Sequence, residues 1–478
     1  MSWNDLIVLL PEIYLTASIC LLLLLDAFSN SRSATGLHRL SMLALVLTAA
    51  LVVWGHGDVA VSAFHGMFIN DTLGEILILF SILCTAIVLV LASPYLRQRR
   101  IAMGEFHTLT LFALLGVMFL VSAGNLVMIY LGLELLTLSS YALVALDRDS
   151  GVSSEAAIKY FVLGALSSGI LLYGMSLIYG ATGSLDLATI NAAVLKTPHM
   201  PLMLMGLVFL MVGIAFKFGA VPFHMWLPDV YEGAPTAVTI FISSVSKLAA
   251  VGMALRLLDF GLAGMGPYWQ QMLAILAVLS LVIGSLVAIV QTSLKRMLAY
   301  STIGHMGYLF LGLSAGTAFG YASAVFYAIA YSLMATAAFG VILAMSRAGF
   351  EADQISDLKG LNQRSPWFAG MMLIVMFSLA GVPPLFGFFA KLLVLQAAIQ
   401  AGMLWLAIVG AVFAIISAYY YLRVVKVMYF EKPEDDSKLA PSSDLSLRWV
   451  LSANALVLLV LGVTWSPLLD WCLRAFTS

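Results

Sequence analysis

The chain has 478 residues, of which 62% are hydrophobic and 10% are Asp, Glu, Lys or Arg, against about 25% charged in an ordinary soluble domain. That composition excludes a soluble enzyme, and a net charge of -1 leaves no basic surface with which to grip nucleic acid. Three scattered cysteines, Cys20, Cys84 and Cys472, fit neither a disulfide framework nor the paired spacing of zinc or iron-sulfur sites, so no metal or redox centre is expected in this chain.

Hydrocarbon about 30 Å thick needs about 20 apolar residues per helix. The apolar runs predict fourteen crossings, near 6–26, 37–54, 73–93, 107–123, 125–146, 157–180, 200–221, 236–258, 271–292, 297–315, 321–346, 367–398, 403–427 and 448–469. The predicted fold is an all-α polytopic membrane protein. The first run lacks the basic leader and small-residue cleavage pattern of a secretory signal, so it is expected to stay in the mature protein. Short polar breaks such as SNSRSATG, LRQRR and EKPEDDSK leave no room for a soluble domain.

Lysine and arginine sort between the two sides. Odd-numbered loops carry fourteen, namely Arg32, Arg39, Arg97, Arg99, Arg100, Arg148, Lys295, Arg296, Arg347, Lys359, Arg364, Lys432, Lys438 and Arg448. The opposite side carries Lys196, Arg256 and Arg474. The positive-inside rule then puts the odd loops in the cytoplasm and both termini outside it, in a bacterial plasma membrane.

Two crossings are expected to break. Pro222, in FKFGAVPFHMW, has no N–H for the Phe218 carbonyl, and Pro383 and Pro384, in LAGVPPLFGFFAK, leave those of Leu379 and Ala380 without theirs. The second run is about 48 Å long if fully helical, too long for one straight crossing. Gly219-Ala-Val-Pro222 and Gly381-Val-Pro-Pro384 lie 162 residues apart, in the seventh and twelfth crossings. An offset of five reverses orientation, which points to two inverted five-helix repeats, and discontinuous helices at matching places are a mark of transport proteins. The expected segments are 1–106 with three helices, 107–258 and 271–427 as the two repeats, and 428–478 with the last crossing.

Ionisable residues inside apolar runs carry the functional signal, because a charge at the bilayer centre costs about 2.5 to 3.5 kcal/mol on insertion scales. Glu134, Lys217 and Lys247 lie deepest, Lys391 follows the proline pair, and His224 and His305 join them. Lys159 lies near a helix start, where snorkelling to the interface is the alternative. His224 is equally readable as a cap on the broken helix and His305 as a packing histidine. Glu12 and Glu75 sit too near run ends to be given a role, and Arg423 and Lys426 read as interfacial anchors. Burial disfavours charged lysine and a neighbouring carboxylate favours it. Unit charges 4 Å apart interact by about 4 kcal/mol at an effective dielectric near 20. Making or breaking a Glu134 to Lys217 contact would therefore load or unload the lysine, against the roughly 2.3 kcal/mol needed to move a proton through 100 mV. The chain has no phosphate-binding, dinucleotide or metalloprotease motif, so the energy comes from a gradient or a partner.

FHMWLPDVYEGAPTAVTIFISSVSKLAA (223–250) and QTSLKRMLAYSTIGHMGYL (291–309) resemble the antiporter-like membrane subunits of bacterial respiratory complex I, the proton-pumping NADH:quinone oxidoreductase. The VYEGAP form is similar to the subunit N type, and the resemblance covers essentially the whole chain. It implies proton transfer from cytoplasm to outside through Glu134 on helix 5, Lys217 on helix 7, the central Lys247 on helix 8, His305 as a relay and Lys391 on helix 12 toward the exit. Lys159 and His224 match a helix-6 lysine and the histidine after the first break. By the same resemblance, NADH, FMN, iron-sulfur clusters and quinone belong to partner subunits, and neighbouring antiporter-like subunits flank this chain in the membrane arm. Two other readings stay open on sequence, a subunit of a multisubunit sodium/proton antiporter and a non-pumping scaffold of the membrane arm.

Overall fold

The computed structural model describes residues 3–28, 34–55, 57, 60–197, 200–433 and 442–477. Arg32 and Lys438, used above for orientation, lie outside them. The crossing helices are α1 (Leu10–Phe28), α2 (Ala34–Trp54), α3 (Thr72–Arg99), α4 (Met103–Val121), α5 (Leu126–Val144) and α6 (Gly151–Thr182). Next come α7 in two pieces (Pro201–Phe218 and Trp226–Gly233), α8 (Thr236–Leu255), α9 (Gly266–Val290), α10 (Leu294–Ser314) and α11 (Ala318–Met345). Last are α12, again in two pieces (Pro366–Ala380 and Phe386–Gln400), α13 (Leu404–Phe430) and α14 (Leu445–Val463). Among the described residues, 12 helices are long and apolar enough to cross a membrane. The other two crossings are α10, diluted by Lys295, Arg296 and His305, and α12, whose halves are each 15 residues. The predicted all-α membrane fold with broken seventh and twelfth helices is the observed one.

Small features were not foreseen. A hairpin of β1 (Val61–Ala63) and β2 (Phe68–Asn70) pairs Val61 with Asn70. It is tied to the α4–α5 turn by Ile69 N to Ser122 O at 2.8 Å and Gly124 N to Met67 O at 2.9 Å. Short helices Trp3–Val8, Leu187–Lys196 and Ser466–Thr477 flank the crossings.

Helices α8 and α11 form the middle of the bundle. Every residue of α8 is buried, as is α11 from Gly320 to Met345, which is where helices apolar on all faces belong. Lipid gives no hydrophobic drive for helix association, so close van der Waals fit at small residues holds such bundles together. A Cβ at Gly116 would lie 2.5 Å from Leu136 N, joining α4 to α5, and one at Gly284 would lie 2.5 Å from Gly304 N, joining α9 to α10. These two glycine-packed pairs are five crossings apart, like the two breaks. The end of α8 is fixed by Arg256, which is fully buried. Its guanidinium donates to both Asp71 oxygens at 2.7 Å and to Val121 O at 2.8 Å. Arg423 serves α9 rather than the interface, donating to Ile289 O at 2.7 Å and Gln291 O at 2.5 Å.

Candidate functional site

The two breaks are built alike. The first piece of α7 ends at Gly219, whose φ of 72° is left-handed, with Ala220 N returning to Ala215 O at 2.8 Å. The first piece of α12 ends at Gly381, φ 88°, with Val382 N returning to Phe377 O at 3.0 Å. This is the left-handed helix end that glycine permits. The Val221-Pro222 and Pro383-Pro384 bonds that follow are cis.

A helix end leaves carbonyls without intrahelical donors and carries the negative end of the dipole. Two buried lysines satisfy those carbonyls. Lys247, fully buried at mid-α8, donates from Nζ to Phe218 O at 2.9 Å. Lys391, on the second piece of α12, donates to Leu379 O and Ala380 O, each at 2.9 Å. These are the three acceptors that the prolines leave without a donor. An ammonium has three N–H groups. Lys391 can therefore give up its third proton without releasing either carbonyl, and Lys247 has two to spare.

Lys217, near the end of the first piece of α7, is 4% exposed, and its Nζ has no hydrogen-bond partner among the described residues. Oε1 of Glu134, half-buried on α5, has none either. The contact considered from sequence is not made in this conformation. Beside Lys217 lies a cavity of about 10 Å³ whose wall includes Thr137, Tyr141, Ser167 and Ser168, room for about one water with several hydrogen-bonding neighbours. Trp226 closes this wall. It donates to Phe216 O at 3.1 Å and places its ring 5.4 Å from Lys247 Nζ, so one indole borders both lysines.

His305 sits on α10, within the second repeat, and is 3% exposed. Its Nδ1 lies 2.7 Å from the Tyr327 hydroxyl and its Nε2 3.0 Å from that of Tyr421. Tyr421 continues to Ser301, and Thr302 Oγ1 meets the Tyr331 hydroxyl at 2.7 Å. Neutral imidazole has one donor and one acceptor nitrogen, and a hydroxyl can act as either. The Tyr327–His305–Tyr421–Ser301 chain can therefore reverse its hydrogen bonds without losing one, as a proton relay requires. Tyr308 leads onward, donating to Gly410 O at 2.8 Å, with Lys391 Nζ 5.1 Å from its ring. The tyrosines were missed in the sequence. Their signal is the four-residue spacing of Tyr327 and Tyr331 in YAIAYS, which places both hydroxyls on one helix face.

Residues 123–417 match the family model described as NADH:quinone oxidoreductase/Mrp antiporter, TM. NADH-quinone oxidoreductase subunit N of Xanthomonas euvesicatoria pv. vesicatoria (strain 85-10) is 52% identical over 99% of this chain and 97% of its own length. The protein of the same name from Methylovorus glucosotrophus (strain SIP3-4) is 53% identical over 99% and 98%. The chain belongs to the NADH-quinone oxidoreductase subunit N family. A chain of respiratory complex I from Thermus thermophilus superimposes with a TM-score of 0.82 at 32% identity, covering 96% of this chain and 98% of that one. A chain of the Mrp complex from Dietzia sp. DQ12-45-1b gives the same TM-score, 0.82, at 22% identity over 99% and 97%, a likeness of fold alone.

Two of the residues singled out in the sequence stand apart from the buried line. The Lys159 side chain is 44% exposed and pairs with Glu155 at 2.8 Å and Asp229 at 2.9 Å. Asp229 also takes Arg296 at 2.9 Å, so Lys159 belongs to a charged cluster where α6, α7 and α10 meet. His224 lies within the α7 break, half-buried, with Nδ1 unpartnered.

Proposed function

We propose that this chain translocates protons as the antiporter-like subunit N of NADH:quinone oxidoreductase, moving them from cytoplasm to outside through Glu134, Lys217, Lys247, His305 and Lys391. The observation that carries this reading is the bonding of two buried lysines to the free carbonyls of the two helix breaks, with a histidine–tyrosine chain in the second half. The carriers stand on two repeats, 107–258 and 271–427, flanked by segments 1–106 and 428–478. The bias of basic residues to the odd loops supports termini on the non-cytoplasmic side of a bacterial inner membrane. Electron transfer, with NADH, FMN, iron-sulfur clusters and quinone, takes place in partner subunits.

In this cycle Glu134 approaches Lys217 when a neighbouring subunit signals and favours its charged form. Withdrawal of Glu134 sends the proton past Trp226 to Lys247. A charged Lys247 then pushes a proton through the reversible His305 chain to Lys391, whose spare N–H faces release. Lys159 and His224 supply protons from the cytoplasmic side to the first half.

The test is purification of the tagged chain from native membranes in mild detergent, with NADH:quinone activity and proton pumping measured after reconstitution. Co-purification with flavin and iron-sulfur subunits in an active assembly is the expected result, and recovery with antiporter subunits alone overturns the assignment. Lys247→Arg probes the route itself. Arginine keeps the donor to Phe218 O but does not deprotonate in proteins, so pumping is expected to fall while the complex still assembles. Normal pumping would remove Lys247 from the route.

A further inference from the structure

Glu12 and Glu75, which sequence position places near run ends, are both buried, at 2% and 7% exposure. The hairpin and the ends of α1, α2 and α3 fold over them. Both line one cavity of about 90 Å³, with Asn70 and Ser122 the other polar side chains of its wall and Phe68 and Ile78 among the apolar ones. Glu12 Oε2 has no hydrogen-bond partner among the described residues. None of Glu134, Lys217, Lys247, His305 and Lys391 lines this space, and among the described residues neither does any lysine or arginine. The nearby guanidinium of Arg256 is committed to Asp71 and Val121 O, and Asp5, on the preceding short helix, accepts from Phe64 N at 3.2 Å. Among the described residues, the charged groups around the cavity therefore supply no cation directed at Glu12.

An ionised carboxylate oxygen does not persist unpaired among apolar walls. As a carboxylic acid the same group becomes a donor, with the Asn70 amide oxygen, the Ser122 hydroxyl, the Glu75 carboxyl or water within the cavity as acceptors. The volume holds several waters, enough for exchange with the nearby surface. We propose that this cavity is a second proton-binding site, in which Glu12 takes up and releases a proton on the non-cytoplasmic side, apart from the lysine line.

The test uses the assembled complex in nanodiscs, without NADH, followed by infrared difference spectroscopy as pH is stepped from acid to alkaline. The wild type is expected to show the carbonyl-stretch band of a buried carboxylic acid that disappears as pH rises. Glu12→Gln should remove that band, Glu12→Asp should keep a titrating band with a moved midpoint, and Glu75→Gln should shift its frequency. A spectrum of Glu12→Gln equal to wild type overturns the proposal, as does a wild type with no such band. Loss of the band at constant pH on adding sodium or calcium ions also overturns it, making the cavity a hard-cation site. Because no electron transfer is involved, the outcome is independent of whether the lysine line pumps.

Discussion

Replacing Lys391 or Lys247 by methionine, which has nearly the same length and no N–H, isolates the capping of the breaks. One buried carbonyl left without a donor costs about 1–3 kcal/mol. Lys247→Met strands Phe218 O alone, whereas Lys391→Met strands both Leu379 O and Ala380 O, for about 2–6 kcal/mol by the same figure. If that cost falls on local opening of the break, each 1.4 kcal/mol raises exchange of the amides it protects about tenfold. Exchange at Ala220 in Lys247→Met should then rise about 5- to 150-fold, and exchange at Val382 in Lys391→Met about 30-fold or more. The assay is hydrogen–deuterium exchange by mass spectrometry on the assembled complex, comparing peptides over 214–228 and 378–392. Substitution by glutamine, which retains a donor, should restore part of the protection. Exchange at the wild-type rate in both methionine variants would show that the lysines do not hold the breaks. A larger effect at the α7 break than at the α12 break would refute the counting of carbonyls.

Other consequences follow from the same geometry. Glu134→Gln or Lys217→Met should leave an assembled complex whose proton-to-electron ratio in proteoliposomes is clearly reduced, and an unchanged ratio would remove that residue from the route. Tyr327→Phe combined with Tyr421→Phe deletes both partners of His305, each hydrogen bond worth about 1 kcal/mol. The loss of these buried bonds should lower Tm while the complex still assembles, and proton pumping should fall well below either single variant. Arg256→Met leaves the largely enclosed Asp71 carboxylate, 12% exposed, without its cation, a loss of up to about 3 kcal/mol, seen as lower thermal stability that Asp71→Leu on the same chain partly recovers. Gly284→Leu forces a side chain onto the Gly304 backbone and should abolish assembly on blue native gels, whereas Gly370→Leu, with nothing within 4 Å of its Cβ, should assemble normally.

The helices and their breaks were legible because they rest on local rules. Length and apolarity gave the crossings, and the missing N–H of Pro222, Pro383 and Pro384 named the carbonyls of Phe218, Leu379 and Ala380 in advance. What donates to those carbonyls was not legible, because Lys247 comes from another helix and the lysine headgroup reaches its acceptor only through tertiary packing. Tyr327, Tyr331 and Tyr421 read as apolar filling in their runs, since a hydroxyl has no periodicity of its own and its value here depends on His305. Glu12 and Glu75 went unassigned because position within a run tells depth in a bare helix, and a hairpin of two three-residue strands is too short to announce that it covers them.

The counting of donors also bears on how the two halves divide the work. At the α7 break one carbonyl is held by a lysine from the neighbouring helix, so a shift between α7 and α8 can change the Lys247 bond directly. At the α12 break both carbonyls are held by a lysine of the same crossing, 12 and 11 residues along, and the headgroup moves with the break it caps. Loss of a proton then leaves Lys247 with one donor bonded and one unused, but Lys391 with both bonded. The first lysine is built to be moved and the second to be held. On the proposed route this places the variable step between α7 and α8 and makes Lys391 a fixed station, at which only the third proton comes and goes.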